Sequence, residues 1–123
     1  MDLLAGIRLF VYGSLLRGER HHDELAGAKF VREARIAGYA MYELGDYPTL
    51  VSSEEGVVSG EIYEVSEQML AGLDAFEGEG YERGKVTVEG GGSAETYLRS
   101  GPLPEGAIRI ASGSWRAHRR SLR

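Results

Sequence analysis

Glycine occurs eighteen times in 123 residues, and it sets the scale of every element this chain can form. Each glycine is a natural place to turn or end a segment, because it tolerates backbone angles other residues avoid. So many breaks imply many turns and a strand-rich fold. One segment, residues 67–76, reads clearly as a helix. There is no regular alternation of strand and helix, which excludes a doubly wound parallel sheet. The expectation is an α+β fold with a curled sheet or small barrel, in a single domain spanning residues 1–123.

The segments follow from local pattern. Residues 7–12 form an apolar run that stops at Gly13, a buried strand emptying into a loop. Residues 13–23 read as loop, with one helical turn near residues 21–25. Residues 30–37 and 39–44 read as two strands broken by Gly38. Gly45-Asp46-Tyr47-Pro48 is a turn, since Pro48 withholds an N–H and biases Tyr47 to an extended shape. Residues 57–65 alternate as a strand. In the helix, Ser66 can accept a backbone N–H as cap, and Met69, Leu70, Leu73 and Phe76 share one face. Gly78 and Gly80 end it. Residues 86–88 and 96–98 flank Gly90-Gly91-Gly92-Ser93 as a hairpin. Beyond two prolines, residues 107–110 are briefly apolar, and Trp115 packs onto the body.

Composition narrows the function. Cysteine is absent, which removes disulfides and thiolate chemistry and fits a reducing cytoplasm. No apolar run approaches the roughly 18 residues of a membrane span, and residues 1–6 show no secretory leader. The net charge is -5, and residues 116–123 hold four of the fourteen basic residues. The remainder therefore sets ten basic against nineteen acidic residues, a poor match for nucleic acid. The basic tail is expected to lie solvated or docked on the acidic body.

Motif chemistry leaves few candidates. There is no P-loop, and Gly78-Glu79-Gly80 carries an acid where a phosphate would sit. His21-His22-Asp23 lacks further ligands at metal spacing, so these histidines read as surface or loop-ordering residues. Ser14 lies in a sharp turn but without the G-x-S-x-G of a nucleophile elbow, so it reads as a donor. The loop from Tyr12 through Gly13, Ser14 and Leu15 can instead offer backbone N–H groups to a carboxylate or carbonyl. Glu77 ends the helix directly after Phe76. Partial burial and the negative end of the helix dipole would both raise its pKa toward the range of a neutral-pH proton shuttle. The alternative is a solvated helix-end acid, and Glu79 is a second acid two residues on.

Taken in order, Tyr12-Gly13-Ser14-Leu15, Gly18 with His22, Leu44-Gly45-Asp46-Tyr47-Pro48, Gly60-Glu61-Ile62-Tyr63, Leu73-Asp74-Ala75-Phe76-Glu77-Gly78 with Tyr81 and Arg83, and Ser112-Gly113-Ser114-Trp115 resemble the γ-glutamylcyclotransferase-like family. The likeness is to its small bacterial and γ-glutamylamine cyclotransferase branch. Ser114 departs from it, standing where many relatives have an aspartate. The resemblance implies a small mixed β-barrel with flanking helices and a cavity at one end. It implies cyclisation of a γ-glutamyl group to 5-oxoproline, with release of an amine or amino acid, and no cofactor or metal. It favours Glu77 over Glu79 as the catalytic acid–base. It places the substrate against Tyr12, Gly13, Ser14 and Leu15, with Tyr81 as a pocket wall or phenol donor. The other reading of such a scaffold is a non-catalytic module that binds a small carboxylate metabolite.

Overall fold

A computed structural model describes residues 6–121 of the chain; residues 1–5 and 122–123, with what the sequence suggested for them, lie outside it. Six strands and two helices follow in the order β1 (Ile7–Val11), β2 (Lys29–Glu43), β3 (Pro48–Val65), α1 (Glu67–Glu77), β4 (Tyr81–Thr87), β5 (Ser93–Arg99), β6 (Ile108–Ile110) and α2 (Trp115–Ser121). A short 3₁₀ turn, His22–Leu25, lies in the loop after β1.

The strands make one mixed sheet in the order β4-β5-β1-β3-β2-β6. Only β1 and β5 run parallel; the other neighbours are antiparallel. The sheet curls until Ile36 of β2 bridges Val88, just past β4, so its two sides meet at that point. The expected α+β fold with a curled, barrel-like sheet and flanking helices is the observed one. The core fills the curl. Leu9, Phe10, Ile36, Leu50, Val58 and Ile62 are at most 1 % exposed, and Leu70 and Leu73 bring the apolar face of α1 onto it.

The elements differ from the sequence expectation in several places, β4 and β5 among them, which begin at Tyr81 and Ser93 rather than at residues 86 and 96. Residues 30–37 and 39–44 are not separate strands: β2 runs continuously through Gly38, with a register shift between Ala37 and Tyr39. Gly38 takes φ +93 there, which a β-branched or bulky residue would resist. Strand β3 begins at Pro48 rather than at residue 57, because Pro48 through Ser52 pair with Glu43 back to Tyr39. Pro48 opens the strand, where its missing N–H does least harm. The basic tail docks, one of the two outcomes expected of it, but does so as a helix, α2. Trp115 is 2 % exposed, His118 meets Glu43 at 2.5 Å and Arg119 meets Glu19 at 3.3 Å.

Close approach dictates several glycines, and two of them bear on the site. A Cβ at Gly60 would stand 2.1 Å from the Val11 carbonyl oxygen, so β1 can lie against β3 only because that position is bare. A Cβ at Gly13 would stand 2.6 Å from Pro48 Cγ. The start of the first loop and the start of β3 are thereby pressed together.

Candidate active site

Strand β1 stops pairing at Val11, opposite Glu61, and the chain then folds into a tight loop. Carbonyl groups hold the loop in shape. Leu16 N–H donates to Gly13 O at 3.1 Å, His21 N–H donates to Ser14 O at 2.8 Å, and the His22 ring Nδ1 lies 2.9 Å from Leu15 O. The N–H groups of Gly13, Ser14 and Leu15 donate to no protein acceptor among the described residues. Backbone donors left over at the mouth of a cavity are an anion- or oxyanion-binding arrangement.

That cavity holds about 420 Å³ and is lined by Tyr12, Gly13, Ser14 and Leu15, by Tyr47 and Pro48, by Phe76 and Glu77, and by Tyr81 and Tyr97, among others. Its size falls within the range of small-molecule sites, about 300–1,000 Å³. Among the described residues, neither lysine nor arginine lines it.

Helix α1 delivers Glu77. Ser66 Oγ accepts the Met69 N–H at 3.0 Å and starts the helix. Gly78, at φ +66, ends it directly after Glu77. The carboxyl group is half-buried beside the exposed ring of Phe76, and burial pushes its pKa up to about 7. Burial is the one cause of that rise, with no protein donor among the described residues to offset it. Glu79 also lines the cavity but is exposed.

The tyrosines form walls. Tyr12 OH donates to Tyr97 O, and Tyr97 OH donates to Asp74 Oδ1 at 2.6 Å. Arg83 in turn grips Asp74 at 2.9 Å and Glu95 at 2.8 Å. The Arg83 and Tyr97 hydrogen bonds hold the Asp74 carboxyl below the usual range. Tyr81 OH donates to Pro48 O at 2.8 Å, and burial followed by the nearby Glu77 pushes its pKa up to about 12. The Tyr12 and Tyr81 protons are thus committed to backbone carbonyls, and both rings serve as packed cavity wall. Burial likewise raises Tyr12 well above the ordinary phenol value.

All six residues singled out from the sequence, Tyr12, Gly13, Ser14, Leu15, Glu77 and Tyr81, therefore line one cavity. Two further participants were not legible. His21 lines the same cavity, its ring edge-on to Phe76 at 5.1 Å, whereas its sequence context suggests only a surface or loop-ordering role. Its neighbour His22 does order the loop. Glu61 is the second. It is 1 % exposed and takes hydrogen bonds from Arg17 N–H, Arg17 Nε, Tyr63 OH and Arg116 Nη2 at 3.0–3.2 Å. Burial works to raise its pKa, but those donors prevail and lower it. This clamp ties the far end of the loop to the sheet and to α2. Among the described residues, no three His, Asp or Glu side chains converge as metal ligands.

Residues 9–117 match the family described as gamma-glutamyl cyclotransferase, AIG2-like. A gamma-glutamylcyclotransferase family protein of Citrobacter rodentium is 36% identical over 110 residues, covering 89% of this chain and 95% of that one. The corresponding Escherichia coli K12 protein is 34% identical over 110 residues, covering 89% and 96%. The crystal structure of an uncharacterized protein from Pyrococcus horikoshii superposes with a TM-score of 0.82 at 33% identity, covering 94% of this chain and 95% of that one.

Proposed function

This chain belongs to the gamma-glutamyl cyclotransferase, AIG2-like family, and from that premise we propose that it cyclises a γ-glutamyl group to 5-oxoproline. The observation that carries the reading is one cavity holding both a glutamate tuned to about 7 and a row of uncommitted loop N–H groups.

The reaction suits those parts. The substrate's own α-amine attacks its γ-carbonyl carbon. The new ring C–N bond forms, the C–N bond to the attached amine or amino acid breaks, and no water is consumed. Because nucleophile and electrophile share one chain, the cavity mainly has to fold that chain into an attacking shape. The walls of Tyr12, Tyr81 and Tyr97 limit its conformations. The N–H groups of Gly13, Ser14 and Leu15, with the Ser14 hydroxyl, hold the anionic carboxylate or the developing oxyanion. Glu77 takes the proton from the attacking amine and returns one to the leaving nitrogen. A carboxyl group with a pKa near the working pH is suited to both transfers. The role needs neither metal nor cofactor. The partner is a small γ-glutamyl compound, and the cytoplasm, where free glutamyl metabolites reside, is the compartment this reading favours.

The test is direct. The protein is incubated with γ-glutamyl amino acids, glutathione and γ-glutamylamines, and 5-oxoproline is measured by mass spectrometry. Release from at least one compound, lost in E77Q, is the expected result. Full activity in E77Q would sink the assignment of Glu77. Saturable binding of a glutamyl compound by wild type and E77Q, with no product from either, would favour a binding module on the same scaffold.

A further inference from the structure

A second cavity, of about 460 Å³, lies beyond β3 from the first. Its floor is Ala34 of β2 with Ser59 and Gly60 of β3, and Leu16 of the loop closes one side. Charged side chains make up most of the rest: Arg32, Arg35, Arg116 and Arg120, against Glu33 and Glu89. Four guanidiniums facing two carboxylates leave a surplus of two positive charges, on a chain whose net charge is -5. The ion pairs behind the wall do not remove it. Arg35 is matched by Glu89 at 3.1 Å, and Arg116 shares Glu61 with Arg17. Counting Arg17 and Glu61 adds one charge of each sign. Arg32 and Arg120 have no carboxylate within ion-pair distance among the described residues.

Converging like charges destabilise a fold unless something offsets them. Arg116 and Arg120 stand four residues apart on α2, where like charges repel. A concave volume with a surplus of one sign of charge concentrates potential and gathers counter-ions. Guanidinium groups present planar pairs of N–H donors that match the two oxygens of a carboxylate or phosphate. The volume is in the small-molecule range and exceeds what a lone monovalent ion needs. The first cavity has the opposite character: among the described residues it is lined by Glu77 and Glu79 and by no arginine.

We propose that this second cavity binds a small polyanion bearing two or more oxyanion groups, held by Arg32 and Arg120 with support from Arg35 and Arg116. The site is separate from the γ-glutamyl cavity and does not depend on that activity. Calorimetric titration of the full chain at low ionic strength uses pyrophosphate and citrate as probes, with acetate as the monovalent comparison. Pyrophosphate or citrate is expected to bind saturably and more tightly than acetate. Whichever of the two binds more tightly identifies phosphoryl or carboxylate groups as the source. In R32Q/R120Q the affinity is expected to fall about tenfold or more, in line with the loss of two charge-assisted contacts. The single variants R32Q and R120Q each lose less. R8Q/R109Q, which removes the same charge from exposed positions outside the cavity, keeps wild-type affinity. Circular dichroism confirms that each variant is folded. Absence of saturable binding, equal affinity for acetate, unchanged binding in R32Q/R120Q, or an equal loss in R8Q/R109Q each overturns the proposal and leaves a solvated basic face.

Discussion

Glu61 and Glu77 are both glutamates withdrawn from water, yet their chemistry is pushed in opposite directions. Glu61 is the more deeply buried, at 1 % exposure, and its pKa is lowered. Glu77 is only half-buried, and its pKa rises to about 7. The depth of burial does not decide the outcome. Four hydrogen bonds from Arg17, Tyr63 and Arg116 stabilise the Glu61 carboxylate more than burial penalises it. Nothing comparable reaches Glu77, so burial acts alone. One carboxylate is thereby fixed as a structural anion, and the other is left free to gain and lose a proton. A fold can hold both a few residues from one loop because donors are supplied side chain by side chain.

The largest expected effect breaks the comparison on the Glu77 side. E77Q keeps the shape but cannot exchange a proton, so 5-oxoproline release should fall by about 10²–10⁴-fold, the usual worth of a general acid–base. Assays of initial rate decide this, and a loss below tenfold would contradict the role. In the wild type, kcat/KM should rise with pH through about 7 as Glu77 deprotonates.

Next in size is E61Q. It removes the charge that Arg17 and Arg116 face, and it should destabilise the protein by about 2–3 kcal/mol in denaturant unfolding, reduced because both arginines are partly exposed. R116Q, which removes one donor of the four, should cost about 1 kcal/mol. Equal losses in the two variants would mean that Glu61 is not the hub.

A smaller effect than that of E61Q is a difference in sign. Glu61, with its lowered pKa, stabilises the fold above the ordinary glutamate range and loses that contribution as pH falls through its folded pKa. Glu77, with its raised pKa, binds its proton more tightly in the fold, so stability declines as pH rises from about 4.5 to about 7. E77Q should therefore be more stable than wild type at pH 8, by about 1–2 kcal/mol, and equal to it at pH 4. Thermal unfolding at the two pH values reads this out. A gain of the same size at both would place the effect in packing rather than in titration.

Much of the first cavity was legible because its parts carry local signals. The run ending at Tyr12, the turn at Gly13, the cap at Ser66 and the stop at Gly78 each follow from a residue and its near neighbours. They put Glu77 at a helix end and the loop at a strand end. The clamp was not legible. Glu61 in an alternating strand looks like any solvent-facing acid until Arg17, 44 residues away, and Arg116, 55 residues away, arrive beside it. His21 was missed for the same reason, since only the approach of Phe76 brings it into the cavity. The early part of β3 was hidden too. Ser53 through Gly56 is too polar to read as a strand and has no partner in the β2 register, which pairs Pro48 through Ser52 and resumes at Val57, so the pairs on either side rather than propensity keep this stretch extended.

The sequence by itself determined the α+β class, the helix that ends at Glu77 and the six residues that meet around one cavity, because these depend on glycine placement, periodicity, capping and an ordered set of family motifs. Tertiary structure alone decided that β2 and β3 are long continuous strands, that the basic tail is helical, and which glutamate has its pKa lowered and which has it raised. Those outcomes depend on burial and on donors brought from distant parts of the chain, and neither is a property of a residue's own neighbourhood in sequence.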